Sequence, residues 1–225
     1  MYSFTLEQRR VSLRRLMFFH IAIIAISNYL VQFPFTIWGI HNTWGSLSFP
    51  FIFVTTDLTV RIFGKRDARK IVFYAMFPAL LLSYAISMLF KDGHWTQWSD
   101  LMSFDIFVIR IVIASLIAYL VGQLLDILVF DRLRNLPSWY LAPAASSIMG
   151  CAMDTFCFFA TAFANSSDHF MANNWLQIAT ADYLFKLFIN LIFFLPIYGI
   201  VLRYLLTKLV YIKQDSQINT TDVVV

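Results

Sequence analysis

The chain alternates long apolar runs with short basic clusters, and no other feature constrains its fold as tightly. A helix needs roughly 20 apolar residues to cross the hydrocarbon core of a bilayer. Six runs meet or approach that length: residues 16–33, 47–63, 71–90, 104–130, 139–163 and 178–206. The last three are long enough to tilt or to extend past the membrane. Composition agrees. Residues are 60% hydrophobic and 13% charged, whereas a soluble domain carries roughly a quarter charged residues. The expected fold is an all-α polytopic membrane protein, with six transmembrane helices in one transmembrane domain over residues 1–225.

Lys and Arg set the expected orientation, because short cytoplasmic segments collect them. Arg9, Arg10, Arg14 and Arg15 precede the first run, and Lys65, Arg66, Arg69 and Lys70 lie between the second and third. Arg132 and Arg134 separate the fourth from the fifth, and Arg203, Lys208 and Lys213 close the last. With six alternating helices all of these share one side, and only Lys91 falls on the other. Both termini are therefore expected in the cytoplasm and the chain in the bacterial inner membrane. A cleaved signal peptide is not expected, since Ser27 to Gln32 is no small-residue cleavage site. Trp38, Trp44, Trp95, Trp98, Trp139 and Trp175 fall at or near predicted helix ends, as an aromatic belt requires. The tail 214–225 is polar. The net charge of +4 is dispersed in clusters with no long basic stripe, which argues against nucleic acid.

Seven ionisable groups lie inside the runs: Asp57, Arg61, Arg110, Asp126, Asp154, Asp182 and Lys186. A charge at the bilayer centre costs on the order of 3 kcal/mol, so together and unpaired they would cost roughly 20 kcal/mol. They must face one another, water or a ligand. Asp57 and Arg61 are four apart on one helix face, and Asp182, Lys186 and Asn190 repeat that spacing. Asn28 and Gln32 are also four apart, and Gln123 and Asp126 three apart. Asn28, Gln32, Arg110, Asp182, Lys186 and Asn190 fall in the outer half, with Asp57 and Asp154 near mid-depth. The expectation is a polar cavity opening toward the periplasm. Its substrate-binding candidates are Asn28, Gln32, Trp44, Asp57, Arg110, Asp154, Asp182, Lys186 and Asn190. Arg61, Gln123 and Asp126 are structural or gating candidates. Polar contacts between membrane helices contribute only about 0.6 kcal/mol on average, so helix locking alone does not account for the whole set. Pro78 and Pro196 inside runs free backbone carbonyls and predict kinks.

Motifs for catalysis and cofactors are missing from the sequence. It has no Walker A loop, dinucleotide fingerprint, HExxH or GxSxG. His20, His41, His94 and His169 lie on four segments, which disfavours haem. Cys151 and Cys157 have no metal spacing. No catalytic residue, cofactor or metal is expected.

Certain stretches carry a resemblance. Ser27-Asn28-Tyr29-Leu30-Val31-Gln32 leads to Thr43-Trp44-Gly45, Ser48-Phe49-Pro50-Phe51-Ile52-Phe53 and Thr56-Asp57-Leu58-Thr59-Val60-Arg61. Later come Gly122-Gln123-Leu124-Leu125-Asp126, Ala142-Pro143, Asp154-Thr155 and Asp182-Tyr183-Leu184-Phe185-Lys186. Over nearly the whole chain this resembles the queuosine precursor transporters of the vitamin uptake transporter family. The resemblance implies import of 7-cyano-7-deazaguanine and 7-aminomethyl-7-deazaguanine for salvage into tRNA. It also implies a fold similar to the substrate-binding subunits of energy-coupling-factor transporters. On that reading Asp154 or Asp182 takes the guanine-like edge. Asn28, Gln32, Arg110 and Lys186 complete a polar shell, and a Phe, Tyr or Trp44 stacks on the ring. The partners are the small molecule and the lipid bilayer, with a homodimer left open. Two other functions stay open at this point: a binding subunit of an ATP-driven uptake complex, and a structural membrane protein.

Overall fold

The computed structural model describes residues 6–30, 32–37, 40–91, 94–95 and 106–207. Trp38, Trp98, Lys208, Lys213 and the polar tail lie outside them. The architecture is all-α and polytopic. Helix α1 spans Leu6–Leu30 and is followed by an antiparallel hairpin, β1 Pro34–Ile37 and β2 Ile40–Thr43, with Pro34 opposite Thr43. A short α2, Trp44–Ser48, leads to α3, Pro50–Phe63, and α4, Lys65–Leu89. A second small hairpin pairs β3, Phe90–Lys91, with β4, His94–Trp95. Helices α5, Ile106–Leu133, and α6, Leu141–Phe163, come next. Helix α7, His169–Ile189, runs through a π turn at Asn190–Phe194 and on to Thr207.

Five helical segments are long and apolar enough to cross a membrane: α1, α4, α5, α6 and the 39-residue stretch that starts with α7. The run at 47–63 differs from the other five. Pro50, which has no N–H to give, starts α3 afresh after the turn at Phe49. Gly64 ends it at φ 90°, a conformation that suits glycine, with its N–H donating to Thr59 and Val60 carbonyls. Fourteen residues rise only about 21 Å, short of the roughly 30 Å hydrocarbon core. Ile52, Phe53 and Val60 on this helix are almost wholly buried. The segment buries one face among the longer helices and leaves Phe51 exposed, so its hydropathy reflects the protein core as well as lipid.

Two other boundaries moved for identifiable reasons. Helix α1 begins ten residues before the apolar run because its arginine-bearing turns continue past the lipid-soluble part. Arg9 there pairs with Asp67 on α4. Helix α7 begins at the Asp168 cap, whose Oδ1 accepts from the Met171 N–H at 3.0 Å. Asn173, Asn174 and Gln177 lower the hydropathy of these first turns without breaking the helix.

The expected basic side gathers at one end of the bundle. Besides Arg9 and Asp67, Asp131 receives Lys65 at 2.9 Å and Arg134 at 3.1 Å. Arg134 also donates to the Val60 carbonyl at 2.8 Å. The start of α1, the α3–α4 junction and the α5–α6 junction are thus tied together. The outer surface of the long helices exposes large apolar groups, Phe18, Phe73, Phe77, Ile113, Phe188 and Ile200 among them, as lipid contact demands. Pro78 lies inside α4. Pro196 sits two residues past the π turn; it cannot donate to the Ile192 carbonyl, and the widened turn accommodates that loss. Trp44, Trp95 and Trp139 are half-exposed near element ends, and the Trp139 ring packs so closely on Gly199 that a Cβ there would come within 2.7 Å.

Candidate functional site

Helices α5 and α6 meet through glycine. A Cβ on Gly122 of α5 would fall 2.9 Å from Asp154 Cβ and 3.1 Å from the Gly150 carbonyl. A Cβ on Gly150 of α6 would fall 3.0 Å from Asp126 Cβ and 2.8 Å from Phe53 Cε1. The contact is reciprocal: each helix sets an aspartate against the other's glycine. The sequence carries the pattern twice, Gly122-x-x-x-Asp126 and Gly150-x-x-x-Asp154. Small residues let backbones approach, and here the approach brings two carboxyl groups into the protein interior. The pattern is visible in the sequence once both copies are aligned in antiparallel sense; the charge spacing singles out Asp126 and Asp154 and gives neither glycine a role.

The first polar cluster lies between α6 and α7. Lys186 Nζ is 2.6 Å from Asp182 Oδ2, one turn before it, and 4.0 Å from Asp154 Oδ2. It also reaches the Thr155 hydroxyl at 3.4 Å. All three charged side chains are at least 84% buried. Two carboxyl groups face one ammonium, and by formal charge one is unmatched. Lys186 is held close to Asp182, so Asp154 is the carboxylate with capacity to spare. One turn on, Asn190 reaches Cys151 Sγ at 3.1 Å. On the side toward the first hairpin, Phe185 meets Phe35 (centroids 6.1 Å), which meets Trp44 at 5.2 Å. An aromatic line therefore leads from the loop region to the residue beside Lys186.

A second cluster lies deeper, among α3, α5 and α6. The Ser146 hydroxyl is 3.1 and 3.2 Å from the two oxygens of Asp57. Asp126 of α5 packs against Gly150, one turn past Ser146 on α6. Thr56, next to Asp57, donates to Gln123 Oε1, and His20 Nε2 lies 3.1 Å from the same hydroxyl. Arg61 donates to the Tyr198 hydroxyl at 2.6 Å and lies over the Phe130 ring at 5.3 Å from its centroid. A narrow cavity of about 10 Å³ connects this region toward Asn190, lined by Asp57, Ser147, Asn190 and Tyr198 with Pro143 and Phe194. That is room for about one water. In the described conformation no ligand-sized chamber is open there.

Of the nine substrate-binding candidates, four converge near the first cluster: Asp154, Asp182, Lys186 and Asn190. Asp57 belongs to the second. Trp44 joins the first only through Phe35. Asn28 donates to Ser83 Oγ and to the Ile24 carbonyl, bridging α1 and α4. Arg110 caps the end of α6, donating to Thr161 O at 2.9 Å, to Ala164 O, and to Asn165 O at 3.4 Å. Gln32 lies in the turn after α1. The three structural or gating candidates, Arg61, Gln123 and Asp126, lie in or beside the second cluster. The residue spacing assigns no role to Ser146, Thr155 or the Phe35–Phe185 contact, because isolated hydroxyls and aromatics in an apolar run carry no spacing signal.

Similarity to known proteins covers most of the chain. The family described as "Putative vitamin uptake transporter" matches residues 43–201. A "Probable queuosine precursor transporter" of Haemophilus influenzae is 54% identical over 215 residues, 90% of this chain and 92% of that protein. The "Queuosine precursor transporter" of Escherichia coli K12 is 51% identical over 219 residues, 97% and 98% of the two chains. A "Probable queuosine precursor transporter" of Bacillus subtilis is 29% identical over 167 residues, 69% of this chain and 70% of that one. No solved structure matches. The chain belongs to the vitamin uptake transporter family.

Proposed function

We propose that this protein imports queuosine precursors, 7-cyano-7-deazaguanine and 7-aminomethyl-7-deazaguanine, across the bacterial inner membrane for tRNA queuosine salvage. The observation that carries the reading is the high identity to two relatives named for queuosine precursor transport. Both termini face the cytoplasm, a placement supported by the gathering of Arg9, Lys65 and Arg134 at one end. The task is transport and not catalysis.

The first cluster suits such a ligand chemically. A deazaguanine offers N1–H and an exocyclic amine side by side, and one carboxylate accepts both. Asp154 takes that role, because Asp182 is already held by Lys186 at 2.6 Å. Lys186 reaches the O6 carbonyl oxygen, Asp182 holds the ammonium in place, and Asn190 sits one turn on. Phe185, with Phe35 and Trp44 behind it, offers a stacking surface. Entry is from the periplasmic side, where Trp44 and the first hairpin lie. The roughly 10 Å³ cavity beyond Asn190 requires that helices part before a ligand passes deeper, as alternating access entails.

The test is queuosine content of tRNA in cells unable to make the precursor, supplied with low external 7-cyano-7-deazaguanine. Queuosine is expected with the protein and lost without it. Equal queuosine in both strains would contradict the reading. Copurification with ATPase subunits would instead point to an ATP-driven complex.

A further inference from the structure

The second cluster holds two carboxyl groups for which the donors among the described residues do not suffice. Asp57 and Asp126 are at most 1% exposed; Asp57 accepts from Ser146 of α6, and Asp126 packs against Gly150, one turn further along the same helix. Among the described residues, Ser146 supplies the hydroxyl that reaches Asp57. It has a single proton, and its oxygen lies 3.1 Å from Asp57 and also 3.3 Å from the Pro143 carbonyl. Neither oxygen of Asp126 receives a hydrogen bond from any described residue. Nearby charged and titratable groups do not supply one. Arg61, one turn from Asp57, is committed to Tyr198. Cys151 on α6 faces Asn190, and His20 on α1 faces Thr56. Gln123 Nε2, one turn from Asp126, is itself without a partner. Two facing carboxyl groups form a hydrogen bond only when one of them carries a proton.

We infer that Asp57, Asp126 and Ser146 form a proton-binding site, separate from the substrate cluster, that couples transport to a proton. The proton sits on one carboxyl oxygen and is donated to the other carboxylate, and Ser146 donates to the remaining oxygen of Asp57. Loss of the proton leaves two carboxylates opposed in an apolar interior, which favours parting α3 from α5 and α6. Asp57 also lines the narrow cavity with Asn190, one turn past Lys186. Opening at one cluster is therefore felt at the other. The site has space for a proton; an alkali cation needs several oxygen ligands around it, and the cavity beside Asp57 has room for about one water.

This inference rests on the transport reading above, and two measurements separate their failures. The full-length protein is reconstituted in liposomes with labelled 7-cyano-7-deazaguanine as probe. With one proton per substrate and the membrane potential clamped at zero, a gradient of one pH unit, acid outside, drives about tenfold accumulation inside. Asp126→Asn is expected to abolish that accumulation while retaining exchange of labelled for unlabelled probe at equilibrium. Accumulation that ignores the pH gradient, that follows a sodium gradient instead, or that survives in Asp126→Asn overturns the proton site. Failure of the wild type to exchange probe at all overturns the transport reading. In that event infrared spectroscopy decides the site independently. A carboxylic-acid C=O stretch at neutral pH is expected in the wild type and in Asp154→Asn, and lost in Asp57→Asn and Asp126→Asn. Its absence from the wild type overturns the proposal.

Discussion

The two buried carboxyl clusters share helix α6, where Ser146 and Asp154 are separated by about 12 Å of rise, yet they are built on different terms. Asp154 and Asp182 face a lysine, and the lysine is engaged with one more than the other. Asp57 faces a serine, Asp126 receives no donor from the described residues, and the nearest guanidinium is turned to a tyrosine. A cluster with its own cation and one loosely held carboxylate is ready to accept donors from a polar ligand. A cluster with no cation of its own is ready to accept a proton. Similar burial therefore supports different chemistry, decided by which counter-groups the neighbouring helices bring.

The sharpest way to break this contrast is to remove the cation from the first cluster. Lys186→Met leaves two carboxyl groups without an ammonium, so uptake is expected to vanish and stability to fall by about 3–5 kcal/mol. Thermal unfolding in detergent and whole-cell uptake read the two effects. Adding Asp182→Asn is expected to recover part of the stability and none of the uptake. Next in size is the shared helix crossing. Gly150→Val meets Asp126 Cβ and the Phe53 ring, and overpacking there should cost about 1–3 kcal/mol. It should impair both substrate exchange and the pH response; selective damage to one would mean that the clusters are less closely linked through α5 and α6 than the glycines indicate. Ser146→Ala removes the hydroxyl that donates to Asp57. It is expected to cost about 1–3 kcal/mol of stability and to weaken the pH response, with little change in the substrate concentration that half-saturates exchange. The smallest effect belongs to Arg110→Gln. Its guanidinium caps α6, so a loss of about 1 kcal/mol with unchanged half-saturation is expected. A many-fold rise in that concentration would return Arg110 to the substrate shell.

Hydropathy made the membrane character and most of the long helices legible, since crossing lipid requires an uninterrupted apolar stretch. It did not distinguish the shorter α3 from the long helices, because a helix packed in the protein is as apolar as a lipid-facing one and only Pro50 and Gly64 mark its limits. Charge spacing revealed Asp182 and Lys186, which pair on one helix face. It did not reveal that Asp57 and Arg61, with the same spacing, turn to different partners, Ser146 and Tyr198. Contacts between helices distant in sequence decide that. Arg110 shows the same limit: an arginine within an apolar run reads as a ligand contact until the open carbonyls of Thr161, Ala164 and Asn165 are found beside it. The reciprocal glycine–aspartate pattern was present in the sequence throughout, and it locates both clusters.

The division of labour between the clusters is tested most directly by equilibrium binding of 7-cyano-7-deazaguanine to the purified protein and to two single variants. The expected result is saturable binding to the wild type and to Asp126→Asn, and loss of binding in Asp154→Asn. Binding that survives in Asp154→Asn and disappears in Asp126→Asn would contradict the account.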